Sequence, residues 1–395
     1  MSASPRQFVG FTRVVTSFGY FLTVPLLGVI ALRAGAMTPA EVGVLIAVHT
    51  LARRSLAVPM GVLCDRWGAE RVLVLGLLLE AAGYLLLASS FTFEVWLVAL
   101  AVDGIGGVAY NAAGRVVIAD ASGDGTSAAS FAAFHVATNV GALLGPLAAA
   151  LLATAGAPQA VLVLSAALYA GSAAVAVGRY RRIRGPRPST SAAAPWRQAL
   201  APARDPVFMA YCALTVPLWF GISLLVAALP LEAATRGLGY LDVGLINALN
   251  ALAVVALGTW VGRRAEGRTV GERAGVLSGG ALVMALGCLV ALLPQPWALY
   301  TAMMVITVGE LALIAAVDVV AVQLAPPGST GVYLGCVTTA WALGGTAASL
   351  LAGGLLDGSA VGRHVFWASG AVVLAAGATG LSSFRRRMSG SAVPR

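Results

Sequence analysis

Arg53, Arg54, Glu80, Asp103 and Glu310 stand deep inside long apolar runs of the sequence, and Arg13, Arg115, His135 and Asp318 lie nearer the ends of such runs. An ionisable group at that depth in an apolar medium costs roughly 2.5–3.5 kcal/mol on insertion scales, so it needs a partner or a water-filled cavity. The set holds four arginines and four acids, a balance that predicts pairing. A carboxyl caught between desolvation and a nearby guanidinium can exchange a proton for a ligand. Asp103, Glu310, Asp318, Glu80 and His135 are therefore candidates for carrying a proton. Arg53 and Arg54 are adjacent and cannot share one helix face, so one of them points inward, toward an anion or a buried acid. Plainer readings stand beside these: an Arg53–Asp103 pair within the fold, a packed Glu80, a helix-end pair of Asp318 with Arg13, a loop-facing His135, and His49 in a helix interface.

Other chemistry is not indicated. The three histidines, His49, His135 and His364, are too scattered to ligate one ion. The four cysteines, Cys64, Cys212, Cys288 and Cys336, are isolated, without CxxC or zinc-like spacing. No catalytic constellation, metal or cofactor is expected, and the chain does not read as an enzyme.

The elements that must position these residues follow from composition. Of 395 residues 59% are hydrophobic and only 10% charged, with a mean hydropathy of +0.88. That leaves too little polar surface for water, so the solvent is lipid. Crossing a bilayer core takes roughly 20 helical residues, and backbone groups in lipid must be satisfied within the segment. Twelve runs qualify: 8–33, 41–62, 71–89, 93–119, 127–155 and 159–178, then 207–231, 242–262, 272–293, 297–324, 330–356 and 361–384. The opening run carries no small-residue cleavage site and reads as the first membrane helix.

The net charge of +9 comes from arginine alone, since the chain has no lysine. Most arginines fall on one side of the membrane and only Arg33, Arg236 and Arg363 on the other, which by the positive-inside rule places both termini in the cytoplasm of an inner-membrane protein. Base-stacking aromatics on a basic soluble face are lacking, so nucleic acid is not an expected partner. Residues 179–204, rich in Arg, Pro, Ser and Ala, read as a cytoplasmic linker between halves 1–178 and 205–395. EVGVLIAVHTL at 41–51 and DVGLINALNAL at 242–252 superpose with a constant shift of 201 residues, which also carries Gly61 onto Gly262 and Asp65 onto Glu266. Parallel repeats of this kind build one large class of secondary transporter.

Between the second and third runs stands GVLCDRWGAER, residues 61–71. It resembles the cytoplasmic signature loop of the major facilitator superfamily, carried by Gly61, Asp65, Arg66, Gly68 and Arg71. The resemblance implies an all-α membrane protein of 12 transmembrane helices in two pseudo-symmetric six-helix bundles. It further implies a gate in which Asp65 faces the start of the eleventh helix near residue 330 and Arg66 reaches Asp120, with Gly61 permitting a close helix approach and Gly68 a tight turn. Ala69 and Glu70 depart from the fuller pattern, where further basic residues are common. NVGALLGPLAAA resembles the antiporter motif of the superfamily through Gly141, Gly145 and Pro146, with Ala149 where a glycine is usual. The stretch VGELALIAAVDVVAVQLAPPGSTGVYLG resembles the tenth helix of bacterial drug exporters.

In that family the first, fourth, seventh and tenth helices line the cavity, which singles out Asp103 and Glu310. The drug-exporter branch often carries an arginine ahead of a QG pair in the fourth helix. Here LAVDGIGG has Leu100 at that place, with Asp103 as a substitute. Cavity candidates are Arg53, Arg54, Tyr20, Phe21, Tyr110, Asn111, Trp219, Phe220, Asn247 and Trp341. The implied function is proton-coupled efflux of small amphipathic compounds, drugs or secondary metabolites, by a monomer working through alternating access. An importer or facilitator of a metabolite, with an anionic substrate in view of Arg53 or Arg54, is the alternative.

Overall fold

The computed structural model describes residues 5–35, 37–122, 127–180, 201–326 and 329–390, with side chains apart from those of residues 5–7, 9, 65, 118–122, 127–137, 259, 265 and 390. The regular structure among them is helical. In chain order the helices are α1 (Pro5–Arg33), α2 (Pro39–Ser55), α3 (Ala57–Trp67), α4 (Ala69–Ser89), α5 (Phe93–Ser122), α6 (Ser127–Thr154) and α7 (Pro158–Tyr180). They continue with α8 (Pro206–Ser223), α9 (Leu229–Thr235), α10 (Tyr240–Ala265), α11 (Val270–Ala291), α12 (Trp297–Leu324), α13 (Thr330–Leu355) and α14 (Ala360–Gly390).

Local chemistry sets the helix ends, and it repeats. Gly35 (φ +66°) and Gly237 (φ +80°) follow α1 and α9 in a left-handed conformation that a side chain would strain. Glu41 Oε2 accepts from the Thr38 amide at 2.7 Å, and Asp242 Oδ2 accepts from the Gly239 amide at 2.8 Å. The 201-residue shift relates these two acids, so the sequence repeat is also a repeat of structure.

Ten helices are long and apolar enough to cross a membrane among the described residues, or eleven when α2 and α3, bent by 43°, count as one span. On this count eleven of the twelve expected spans are long enough, all but the fifth run. The second run breaks at Leu56 because Pro59, three residues on, has no amide hydrogen to bond Ser55 and its ring crowds that carbonyl. The fifth run contributes the shorter apolar stretch Thr138–Thr154. In the seventh run, a π-turn at Leu224–Ala228 separates α8 from α9. Pro230 removes the bond that would reach Val226 there.

The chain divides into two compact units, Met1–Pro195 with Gly239–Ala248, and Trp196–Leu238 with Leu249–Arg395. Within the first, α4 packs on α5 and α7, α1 on α6, and α2 on α5. Within the second, α11 packs on α12 and α14, and α8 on α13. The α4–α5, α4–α7 and α1–α6 packing of the first unit recurs in the second as α11–α12, α11–α14 and α8–α13. In both units large apolar side chains such as Leu85, Leu151, Leu286 and Val372 face outward, while Thr12, Glu80, Asp103 and Thr307 are fully buried. That inversion is what a lipid solvent selects.

Candidate functional site

In the first unit the charged residues of mid-sequence depth converge. His49 and Arg53 are one turn apart on α2 and share a face. Asp103 on α5 and Glu80 on α4, both fully buried, meet that face. Arg53 Nη1 donates to Glu80 Oε1 at 3.0 Å and lies 3.7 Å from Asp103 Oδ2, while His49 Nε2 stands 2.8 Å from the same Asp103 oxygen. The Arg53 guanidinium carbon sits 4.4 Å from the centre of the Tyr20 ring on α1. Arg53 thus meets Asp103, the pairing weighed from the sequence, and also Glu80, a partner the sequence did not name.

Two glycines of α5 make the cluster possible. A Cβ on Gly104 would stand 2.7 Å from Ala52 Cβ and 3.0 Å from the His49 carbonyl oxygen, so its absence lets α2 approach. A Cβ on Gly107 would fall inside the Arg53 guanidinium. The positive charge thus lies in the gap left by a missing side chain. Behind the cluster Tyr84 stacks on Tyr169 at 5.1 Å, and the Tyr84 hydroxyl has no hydrogen-bond partner among the described residues.

The polar path continues along α5. Asn111 donates to the Gly107 carbonyl at 2.7 Å and accepts from Arg13 Nη1 at 2.7 Å, and Arg13 Nε donates to Thr138 Oγ1 at 2.8 Å. Arg13 and Arg53 thus both border the stretch of α5 from Gly107 to Asn111. Tyr110 is buried, its hydroxyl 3.3 Å from Thr12 Oγ1, and Phe21 packs edge-on against Tyr20.

The second unit carries a simpler version. Asn250 Nδ2 donates to Glu310 Oε2 at 2.7 Å and to Thr307 Oγ1 at 2.9 Å. Among the described residues no cation pairs with Glu310. Trp219 on α8 and Trp341 on α13 stack at 4.4 Å with planes 10° apart, and the Trp219 Nε1 has no hydrogen-bond partner among the described residues. Gly344, one turn after Trp341, brings α13 onto α8, since a Cβ there would stand 2.5 Å from the Val216 carbonyl oxygen. Phe220 is buried beside this contact, and Asn247 donates to the Val243 carbonyl of its own helix.

Other expected residues take different places. Asp318 and Arg115 are exposed and Arg54 is half-buried. In the signature loop Arg66 and Arg71 are exposed and Gly68 has φ +91°. No described atom lies within 4 Å of a Cβ placed on Gly61, so the described residues show no close helix approach there. The side chains of Asp65, Asp120 and His135 lie outside the described residues. Gly141 and Gly145 form a packing face of α6 on α1, where added Cβ atoms would stand 2.5 Å from the Phe18 amide nitrogen and 2.7 Å from the Phe21 carbonyl carbon. Pro146 follows within the same helix.

The sequence profile of the Major Facilitator Superfamily matches residues 9–269 and, in a second overlapping match, 218–394. The chain belongs to the major facilitator superfamily. It is therefore a transporter and a multi-pass membrane protein. Multidrug resistance protein MdtH of Yersinia pestis (strain Pestoides F) is 26% identical over 106 residues, 27% of this chain and 26% of that protein. MdtH of Yersinia pseudotuberculosis serotype O:1b (strain IP 31758) matches to the same extent. These matches span about a quarter of the relatives' length. Among solved structures, a peptide transporter POT in complex with sulfate superposes with a TM-score of 0.74 at 16% identity, covering 97% of this chain and 94% of that one. A mutant of the nucleoside transporter NupG gives 0.73 at 10% identity, covering 98% and 100%. At these identities the likeness shows the superfamily fold.

Two residues of the superfamily chain's polar clusters escaped the sequence reading. His49 reads as a helix-interface residue and Asn250 draws no notice. A signal was present: the repeat shift of 201 carries His49 onto Asn250. The two positions are equivalent in the repeat, and each lies beside a carboxylate of its unit.

Proposed function

We propose that this transporter couples inward proton movement to the efflux of small amphipathic compounds by alternating access of two six-helix halves, residues 1–178 and 205–395, joined by the linker 179–204. The observation that carries it is Asp103, a fully buried carboxylate 2.8 Å from an imidazole and 3.7 Å from a guanidinium. Such a group can be neutralised by a proton or by a ligand, and competition between the two couples their flows. Glu310, which accepts from the Asn250 amide, is the acid proposed for the other unit. The stacked Trp219 and Trp341 offer an apolar, aromatic wall for the hydrophobic part of a substrate.

The partial likeness to MdtH supports efflux of drug-like molecules, and the Gly141, Gly145, Pro146 resemblance to the antiporter motif points the same way. Asp65, Arg66, Gly68, Arg71 and Asp120 belong to the gate in this reading, and both termini lie in the cytoplasm. The protein acts as a monomer in the inner membrane. An importer of an anionic metabolite is the second reading, favoured by Arg13 and Arg53 both lying along α5 in the first unit.

Purified protein in liposomes with an imposed pH gradient tests this. A panel of amphipathic amines, neutral aromatics and organic anions is followed while proton flow is read in the same vesicles. Movement of an amphipathic compound opposite to the proton flow supports the proposal. Anion movement along with protons favours the second reading and removes the first.

A further inference from the structure

The inner end of the second unit carries more positive charge than its own acids answer. In the orientation proposed above, α8, α10, α11, α12 and α14 bring eight arginines there, at 204, 263, 264, 268, 273 and 385–387, against four acids, Asp205, Glu266, Glu272 and Asp318. Asp205 caps α8, accepting from the Phe208 amide at 2.9 Å. Glu272 Oε2 accepts from the amide and the hydroxyl of Thr269, at 2.8 and 3.0 Å, and acts on Arg268 and Arg385 through space. Among the described residues no acid forms an ion pair with Arg385, Arg386 or Arg387.

These arginines are not simply hung in water. The end of α14 lies antiparallel on the start of α11, and small residues bring the two close. A Cβ on Gly271 would stand 2.8 Å from Ser389 Oγ, and one on Gly275 would stand 3.1 Å from Arg385 Nη1 and 3.2 Å from its Cδ. One step farther along, Ser278 Oγ lies 2.8 Å from Ser382 Oγ. The Arg385 side chain is thus laid in the gap at Gly275. Ser382, Arg385, Arg386 and Ser389 are spaced by three, four and seven residues, so they share one face of α14. That face lines a cleft of about 600 Å³. Arg386 Nη2 reaches the Ser383 hydroxyl at 3.5 Å. Two guanidinium groups flanked by hydroxyls, with no carboxylate in contact, make the donor set that holds phosphate oxygens by charge-assisted hydrogen bonds.

We infer that this cleft between the inner ends of α11 and α14 holds the headgroup of an acidic phospholipid. The lengths agree: α14 has 31 residues, about 46 Å of helix against a hydrocarbon core of about 30 Å, so its arginine end stands at headgroup depth. Away from the cleft, Leu282 and Leu286 of α11 and Val372 of α14 are exposed, a surface that acyl chains cover and a free anion leaves bare. The phosphodiester charge offsets part of the arginine excess and ties the end of α14 to α11. The inference takes from the functional reading only the side of the membrane, and it holds for any substrate and any coupling ion.

The test uses the full chain in detergent micelles and native mass spectrometry. Phosphatidylglycerol and phosphatidylcholine with the same acyl chains are added in turn, and the first bound lipid is counted. The wild type is expected to take phosphatidylglycerol about tenfold or more tighter than phosphatidylcholine, and its thermal midpoint rises with the acidic lipid alone. The double variant Arg385→Gln, Arg386→Gln loses this preference and the rise. Arg263→Gln with Arg264→Gln, which removes as much charge from the same end outside the cleft, keeps both. Gly275→Leu retains every charge but fills the place of Arg385, and the preference falls with it. Thermal unfolding without lipid confirms that each variant is folded, and the arginine variants decide if Gly275→Leu is not.

Equal binding of the two lipids by the wild type overturns the inference. Equal losses in the two double arginine variants also overturn it, because a general field and not the cleft then attracts the lipid. Release of bound phosphatidylglycerol by inorganic phosphate at millimolar concentration assigns the cleft to a free anion and overturns the lipid. None of these readouts involves transport, so the proposed efflux stands or falls separately.

Discussion

Asn250 Nδ2 lies 2.7 Å from Glu310 Oε2, and His49, which the 201-residue shift carries onto Asn250, has its Nε2 2.8 Å from Asp103 Oδ2. The two acids are not equivalents in the repeat, since 201 residues after Asp103 stands Met304, so each unit sets its own carboxylate beside the repeated position. The difference matters for coupling. The carboxyl of Glu310 has an amide beside it, whereas Asp103 has an imidazole at 2.8 Å and a guanidinium at 3.7 Å.

Glu310 is therefore expected to act on substrate more than on fold. Glu310→Gln keeps a partner for Asn250, and the protein remains folded with a thermal midpoint near that of the wild type. Gradient-driven transport falls by about tenfold or more, as loss of roughly 1.4 kcal/mol or more of differential interaction implies. Unchanged transport in both Glu310→Gln and Asp103→Asn vesicles would take these acids out of the mechanism.

Gly107 supplies the space for a charge. Gly107→Ala puts a methyl group where the Arg53 guanidinium lies, so the guanidinium must leave Glu80 and Asp103. Overpacking of this kind costs about 1–3 kcal/mol. A lower thermal midpoint together with loss of gradient-driven transport is the expected result. Gly61→Ala, where nothing described is close by, leaves the midpoint within error of the wild type.

A second charge cluster, in the second unit, is structural. Glu232 is buried, with Arg236 Nε at 2.5 Å and Arg363 Nε at 3.4 Å. Arg236 also donates to the carbonyls of Leu293 and Ala291, both at 2.8 Å, and so closes the end of α11. Two of the three arginines on the minority side of the chain's charge distribution are accounted for by this acid, and Arg33 lies over the Tyr240 ring at 4.5 Å. Glu232→Ala leaves two guanidinium groups without their anion and lowers stability by about 3 kcal/mol or more. Differential scanning calorimetry in detergent measures the loss, and an unchanged midpoint contradicts the assignment.

Between α13 and α14, Asp357 Oδ1 accepts from the Ser359 amide at 2.8 Å. The Ser359 hydroxyl and then this amide hold the carboxyl below its usual 3.8. A depressed acid stabilises the fold above its unfolded-state value and loses that contribution as pH falls through its folded-state value. The midpoint difference between the wild type and Asp357→Asn is therefore present above about pH 4 and shrinks as the solution is acidified further. A difference that grows on acidification reverses the sign and refutes the argument.

The membrane character, the helices and the two-fold repetition were legible in the residues because each rests on a local rule. A run of apolar residues long enough to cross lipid closes its own hydrogen bonds and needs no distant partner. Asp242 repeats the capping role of Glu41 because three residues of chain suffice for it. Even the depth of Arg53, Glu80, Asp103 and Glu310 could be counted along the helices, and their mutual charge balance suggested pairing. The bend at Leu56 was written in Pro59, but the run remained apolar through it, so hydropathy alone passed over the break.

Which charges meet was decided by tertiary structure. Arg53 chooses between Glu80 and Asp103 by way of Gly104 and Gly107, whose missing side chains set how near α2 comes to α5 and where a guanidinium fits. His49 joins Asp103 because the turn that carries Arg53 inward carries His49 with it. Helix periodicity says which residues share a face, yet the rotation and separation of neighbouring helices depend on every contact between them. For this transporter, residue types and spacing determined a lipid-solvated helical repeat carrying buried charge. The packed fold alone determined that the charge gathers around one histidine and one aspartate, because burial couples residues that lie far apart in the chain.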